Sequence, residues 1–89
     1  MFAVTAALTY AVPMTRGAQI RAARALLGWT QEYLAYQSGV SVLAIKQFES
    51  GKSSPRLVTL EKLETALKGA GVVCFDEDEK GGMGVRFRA

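Results

Sequence analysis

The chain has 89 residues, of which 49% are hydrophobic, and it carries a formal net charge of +3. A chain of this length forms one domain with a small core, and a single cysteine without any histidine excludes an internal disulfide and a His/Cys metal site. No apolar run approaches the roughly 20 residues that span a bilayer, and the first residues lack the basic start of a signal peptide, so we expect a cytoplasmic protein without a membrane anchor.

Residues 1–14 form an apolar leader in which side chains alternate along the segment. A period of two is typical of a strand, and Pro13 ends the pattern. The many alanines leave a short helix or a flexible arm open as alternatives. If the leader is a strand, we expect its partner near the other end of the chain. One set of alternate positions holds Phe2, Val4, Ala6, Leu8, Tyr10 and Val12.

A helical domain is predicted over residues 15–71, and its first helix over residues 16–27. Apolar residues recur there at helical spacing, and Gly28 follows as a stop signal. Trp29 precedes the capping residue Thr30, so we expect the indole to pack onto the next turn as a core anchor. The apolar positions of the first helix are Ile20, Ala23, Leu26 and Leu27.

Two short helices joined by a glycine turn are predicted over residues 30–51. Thr30 can cap the first of them, Gly39 can adopt the left-handed conformation that ends it, and Ser41 can cap the second. This arrangement predicts a helix-turn-helix. The side chains that we expect to face inward are Leu34 with Ala35, and Ile45 with Phe48.

A fourth helix and a β-hairpin are predicted downstream. Pro55 breaks the chain before the helix, and the glycines within residues 69–71 end it. Residues 72–89 are predicted as the hairpin, because residues 72–75 and 85–88 favour strands on either side of a polar, glycine-rich turn. An isolated hairpin is marginal in water, so it needs the helical core, the leader or the hairpin of a second subunit. The buried stripe of the fourth helix is predicted as Leu57, Leu60, Leu63 and Leu67.

The helix-turn-helix also contains a set of residues at characteristic spacing, spread over roughly residues 16 to 68. They are Ile20-Arg21-x-x-Arg24, Thr30-Gln31, Leu34-Ala35, Gly39-Val40-Ser41, Ile45 and Phe48-Glu49-x-Gly51. This set resembles the Cro/CI (Xre) family of helix-turn-helix regulators. The resemblance implies a mainly α, four-helix domain, here with a C-terminal β-hairpin and an N-terminal strand as a further option. It also implies a structural pair between Glu49 and an arginine of the first helix, which is Arg24 by spacing.

In the Cro/CI family the third helix enters the major groove, and residues near its N-terminus read base edges. Here the three residues after the Ser41 cap are apolar, and a base edge left unpaired would cost about 1 to 3 kcal/mol per buried polar group. We therefore interpret this surface as an apolar ridge that binds a protein, with Lys46 and Gln47 at its polar rim. The apolar ridge consists of Tyr33, Tyr36, Val42, Leu43 and Ala44. An alternative remains, in which Leu43 turns into the core and the tyrosines lie over it.

Two functions are compatible with this pattern. The preferred one is an antiactivator, a small protein that captures a transcriptional activator, of the kind found in quorum sensing and among regulators of mobile elements. The alternative is a dimeric repressor that binds operator DNA through Gln31, Lys46 and Gln47, with Arg16, Lys52 and Arg56 against phosphate. A third option is a homodimer formed only for self-association through the terminal strands.

Catalysis is not expected from this sequence. It has no histidine and no nucleophile in a recognisable frame, and its glycine-rich segment 81–84 falls in a hairpin turn without the following helix that would bind a phosphate. We therefore predict a binding protein that needs neither a metal nor a cofactor.

Overall fold

The computed structural model describes residues 15–88. Within this part of the chain, four helices precede a two-stranded antiparallel sheet, which confirms the predicted fold class. The elements are α1 (Gly17–Leu27), α2 (Gln31–Ser38), α3 (Val42–Glu49), α4 (Leu57–Gly69), β1 (Val72–Phe75) and β2 (Gly84–Phe87). The strand predicted for the leader lies outside the described residues. None of the described helices has the length and hydropathy of a bilayer-spanning segment.

The α2–α3 pair is fixed by hydroxyl caps on either side of a glycine turn. Thr30 Oγ1 accepts a hydrogen bond from the Tyr33 N–H at 3.0 Å, and Ser41 Oγ accepts one from the Ala44 N–H at 3.1 Å. Between the two caps, Gly39 has a φ of 76°. A residue with a side chain would adopt this left-handed conformation only with backbone strain. These caps start and stop the two helices at defined residues and so set the position of α3.

The core consists of ten buried apolar side chains, contributed by all four helices, the α2–α3 turn and β1. Leu34 and Ile45 are fully buried, and Phe48 is 7% exposed. Trp29 and Ala35 are half-buried and pack against the same cluster. The core residues are Ile20, Ala23, Leu34, Val40, Ile45, Phe48, Leu60, Leu63, Leu67 and Val72.

Two leucines predicted for the core are exposed instead, so those predictions are wrong. Leu57 is 53% exposed because it is the first residue of α4. It lies nearly one turn before Leu60, which is the first buried residue of that helix. Leu26 is 41% exposed. Consecutive residues of a helix lie about 100° apart, so Leu27 packs against the core while Leu26 points to its flank.

The hairpin pairs β1 with β2 in one register, from Val72 opposite Phe87 to Phe75 opposite Gly84. The second strand therefore begins and ends one residue earlier than predicted. The Phe75 ring lies over Gly84, and a Cβ there would be 2.7 Å from Phe75 Cζ, so a side chain at this position would require the ring to move.

Gln19 joins the start of α1 to the end of the hairpin. Its side chain is 4% exposed, and its Nε2 donates to the carbonyl oxygens of Phe75 at 2.8 Å and Gly84 at 3.1 Å. Its Oε1 accepts from the Arg16 N–H at 2.8 Å, which caps the helix. The helical core therefore supplies the partner that the hairpin needs. This role of Gln19 was not predicted from the sequence.

The close approach of α1 to the end of α3 yields a prediction about Gly17. A Cβ at this position would collide with the Phe48 carbonyl oxygen and lie 2.9 Å from Glu49 Cα. Because both obstacles are backbone atoms, we expect Gly17→Ala to lower the free energy of unfolding by about 1 to 3 kcal/mol, measured by urea denaturation.

The matched control is Gly69→Ala, at the end of α4. A Cβ there meets no atom within 4 Å, and we expect it to be neutral or to stabilise by up to about 1 kcal/mol. Equal unfolding midpoints for the two variants would show that α1 and α3 are not packed this closely.

Candidate recognition surface

A bidentate ion pair joins α1 to the end of α3. Arg24 Nε donates to Glu49 Oε2 at 2.7 Å, and Arg24 Nη2 donates to Glu49 Oε1 at 2.8 Å. The structure thus brings together the two residues that the family resemblance pairs. The Glu49 side chain is only 3% exposed. Its hydrogen bond, and to a lesser degree its charge, raise the pKa of Arg24, so the guanidinium stays charged at neutral pH.

Two further side chains donate to Glu49. Gln31 Nε2 donates to Oε1 at 3.0 Å, and Arg21 Nη1 donates to the Glu49 carbonyl oxygen at 2.6 Å. Arg24 also reaches the carbonyl oxygen of Trp29 at 2.9 Å. The role of Arg21 was not predicted, although its spacing of three residues from Arg24 places both on one face of α1. Gln31, which we assigned to DNA contact, is half-buried and bonded within the protein.

The tyrosines of the apolar ridge lie in an ordered aromatic row on α2. Tyr33 is 45% exposed and Tyr36 is 82% exposed. The Trp29 and Tyr33 rings meet edge to face with centroids 4.8 Å apart, and the Tyr33 and Tyr36 centroids are 6.4 Å apart. Gln37 Nε2 donates to the Tyr33 hydroxyl at 3.0 Å. Tyr33 is therefore held on two sides by contacts within the protein.

The α3 part of the apolar ridge is uneven in exposure. Leu43 is 64% exposed, so the alternative in which it turns into the core is wrong. Val42 and Ala44 are half-buried, and Ala44 packs against the core. Leu43 is thus the main apolar side chain that the first turn of α3 exposes to solvent.

The polar residues assigned to DNA contact, apart from Gln31, are exposed. Lys46 and Gln47 lie on α3, one turn beyond the Ser41 cap. Arg16 lines a cleft of about 360 Å³ between the start of α1 and the α3–α4 loop, and Lys52 and Arg56 belong to that loop. None of these cations forms a salt bridge with another described residue.

Cys74 lies half-buried in β1. Burial, together with the nearby charge of Glu64, raises the pKa of its thiol to about 11. The thiol therefore stays protonated at neutral pH and lacks the thiolate that a nucleophile needs. Between residues 15 and 88, no group of histidine, cysteine and carboxylate side chains is arranged to hold a metal ion.

The comparison with protein families identifies one match. Residues 20–69 match the family model HTH_3, described as helix-turn-helix. The match covers more than half of the chain and runs from within α1 to the end of α4, so it includes both the Arg24–Glu49 pair and the apolar ridge. No curated protein matches the chain.

The Arg24–Glu49 pair yields a prediction about stability. Arg24→Ala leaves the buried Glu49 carboxylate without its charged partner, and we expect a loss of about 3 kcal/mol in the free energy of unfolding, measured by urea denaturation. Adding Glu49→Gln to this variant removes the buried charge and keeps an acceptor for Gln31, so we expect it to restore part of the loss.

The control is Lys62→Ala, which truncates an exposed cation on α4 and should change stability by no more than about 0.5 kcal/mol. If Arg24→Ala costs no more than this control, the ion pair does not hold α3 in place.

Proposed function

The chain belongs to the Cro/CI-type helix-turn-helix family, and from this premise we propose that it regulates transcription by capturing an activator protein on its apolar ridge. The observation that carries the proposal is the exposure of Leu43, 64%, in the turn of α3 where a groove-reading helix presents its polar side chains. A helix-turn-helix regulator with a leucine at this point is better suited to an apolar partner than to base edges.

The chemistry of the first turn of α3 supports a protein partner. Val42, Leu43 and Ala44 have no side-chain donor or acceptor, whereas base edges in the major groove are read mainly by hydrogen bonds. A thymine methyl could pack against Leu43, the most exposed of the three, but this turn would still offer no side-chain hydrogen bond to a base edge. Aromatic and aliphatic side chains without charge are typical of the buried centre of a protein interface.

The fixed position of the Tyr33 side chain in the aromatic row also supports capture of a protein. Immobilising a flexible side chain at an interface costs about 0.5 to 1.5 kcal/mol. Tyr33 already packs against Trp29 and accepts a hydrogen bond from Gln37, so little of this cost remains to be met on binding. Lys46 and Gln47 border the ridge as exposed polar groups and would set the orientation of the partner.

The position of Gln31 weakens the DNA-binding alternative. The family resemblance assigns the glutamine at the start of the second helix to backbone contact, but here its amide donates to Glu49 Oε1 at 3.0 Å. Because the Glu49 carboxylate is 3% exposed, this hydrogen bond fixes the Gln31 amide beside it and leaves only the second N–H of the amide for a phosphate.

The narrower proposal is an antiactivator that meets its target in the cytoplasm. Small size, the helix-turn-helix family and the apolar ridge are the features by which the chain resembles QseM, the antiactivator of a quorum-sensing conjugative element.

A second candidate function is operator binding by a dimeric repressor. The exposed donors Lys46 and Gln47 on α3 favour it, as do the cations Arg16, Lys52 and Arg56, which are free of salt bridges with other described residues. The family is one of DNA-binding regulators, so this function competes directly with capture of an activator.

The capture proposal predicts that Leu43→Glu abolishes the complex. The tagged protein is used to isolate the activator from cells of its host, and the affinity for the purified activator is then measured by calorimetry. Replacing an apolar anchor at the centre of an interface costs about 2 kcal/mol or more, so we expect the affinity to fall at least about 30-fold.

The matched control is Leu57→Glu, which places the same charge in the first turn of α4 at a leucine that is 53% exposed and outside the ridge. We expect this variant to bind the activator like the parent chain. Equal affinity of Leu43→Glu and Leu57→Glu would remove the ridge from the interface.

The two candidate functions also differ in their response to DNA and salt. If the chain captures a protein, fluorescence anisotropy should show similar weak binding to its own promoter region and to scrambled DNA of the same length. A repressor would instead prefer the promoter, and its affinity would fall by about 0.9 logarithmic units per phosphate contact for each tenfold rise in salt. Promoter-specific binding with this salt dependence would contradict the capture proposal.

A further inference from the structure

The polar groups of the apolar ridge are biased toward hydrogen-bond donors. Gln37 Nε2 donates to the Tyr33 hydroxyl oxygen at 3.0 Å. A phenol oxygen that accepts a hydrogen bond in this way still carries one O–H group that can donate. Tyr33 is 45% exposed, and no hydrogen bond among residues 15–88 uses this O–H. The α2 part of the ridge therefore has a hydrogen-bond donor at its surface.

Lys46 adds a positive charge at the edge of the same ridge. It follows Leu43 by three residues on α3, which places the two side chains on one face of the helix. Its ammonium group can donate hydrogen bonds but cannot accept them. The side chain is exposed and forms no salt bridge with another residue of the range 15–88. The remaining residues, 1–14 and 89, contain no acidic side chain that could pair with it.

The acidic groups of α2 and α3 are engaged by another cation. Glu49 follows Lys46 by three residues, but its carboxylate is 3% exposed and bonded to Arg24. Glu32, at the start of α2, also acts on Arg24: the pKa of this guanidinium is raised mainly by its hydrogen bond to Glu49 and in smaller part by the charge of Glu32. Within these two helices, the charge of Lys46 therefore has no acidic partner of its own.

We propose that the apolar ridge binds a segment of the activator in which carboxylates flank apolar side chains. The apolar side chains pack on Leu43 and Tyr36, and the carboxylates accept hydrogen bonds from Lys46 and from the Tyr33 O–H. Complementary charge at the edge of an interface guides the encounter and fixes the orientation of the partner. This inference rests on the proposed capture of an activator and specifies the chemistry of the captured surface.

Oxygen atoms of DNA could also accept from these donors, but the apolar part of the ridge favours an acidic protein segment. Leu43 is 64% exposed and lies on the same face of α3 as Lys46. Against a phosphate backbone, this leucine would face a charged and hydrated surface. A protein segment can cover the leucine and supply the carboxylate at the same time. Binding of DNA through these donors is therefore the competing outcome.

Charge reversal at Lys46 tests the first contact. The rates of association of the full chain with the purified activator are measured by surface plasmon resonance at about 50 mM and about 500 mM salt. We expect Lys46→Glu to associate at least about tenfold more slowly at low salt, and the difference to shrink at high salt, because salt screens the attraction. The matched control is Lys62→Glu, which makes the same charge change at an exposed position of α4 and should stay within about twofold of the parent chain.

Removal of the Tyr33 hydroxyl tests the second contact. Tyr33→Phe keeps the ring that packs against Trp29 and deletes the O–H. A hydrogen bond to a charged acceptor is stronger than one to a neutral group, so we expect the affinity to fall at least about tenfold, mainly through faster dissociation. The control is Gln37→Ala, which removes the internal hydrogen bond and leaves the O–H in place, and it should change the affinity by less than about threefold. Urea denaturation checks that each variant is folded.

The acidic segment is ruled out if Lys46→Glu associates as fast as Lys62→Glu, or if Tyr33→Phe binds as tightly as Gln37→Ala. If Leu43→Glu still abolishes the complex in that case, capture of an activator stands and only the chemistry of the partner is wrong. If Leu43→Glu binds like the parent chain, capture itself fails. Promoter-specific DNA binding that both Lys46→Glu and Tyr33→Phe weaken would assign the donors to DNA and overturn the proposal.

Discussion

The carboxylate of Glu49 is the constraint on which the arrangement of this domain depends. It is almost fully buried at the end of α3, where it accepts hydrogen bonds from Arg24 of α1 and Gln31 of α2. A buried charge is tolerable only when such partners surround it, so the three helices have one relative placement that satisfies it. This polar centre lies at the end of α3 remote from Leu43. The apolar ridge can therefore change in composition while the scaffold that presents it stays the same.

Much of the fold could be predicted from local signals. The caps at Thr30 and Ser41 and the glycines that follow the helices mark element ends, because each satisfies backbone groups or a left-handed conformation within a few residues of itself. The predictions failed where tertiary packing decides whether a residue is buried or how two strands pair. Leu57 has the right spacing for the leucine stripe, but nothing in that spacing shows that the core ends at Leu60. The register of the hairpin is likewise set by how the two strands pair, which the pattern of either strand alone does not specify.

The exposure of the apolar ridge could be predicted from the sequence, but the contacts around it could not. The outward direction of Tyr33, Tyr36 and Leu43 follows from helical periodicity once Leu34 and Ile45 are assigned to the core. The engagement of Gln31 by Glu49 does not follow from periodicity, because it needs α2 and the end of α3 to be close in space. The sequence also could not show how exposed each residue of the apolar ridge is. Leu43 is open to solvent, whereas Ala44 packs on the core.

The hydrogen bonds of the Gln19 side chain affect how the domain unfolds locally. One side chain caps α1 and also receives both strands at the end of the hairpin, where Phe75 and Gly84 share its donor group. If that end of the hairpin separates, Gln19 loses its acceptors, and a fraying first turn of α1 carries the amide away from the strands. The helix start and the hairpin end should therefore come apart in a single cooperative step, although more than fifty residues separate them along the chain.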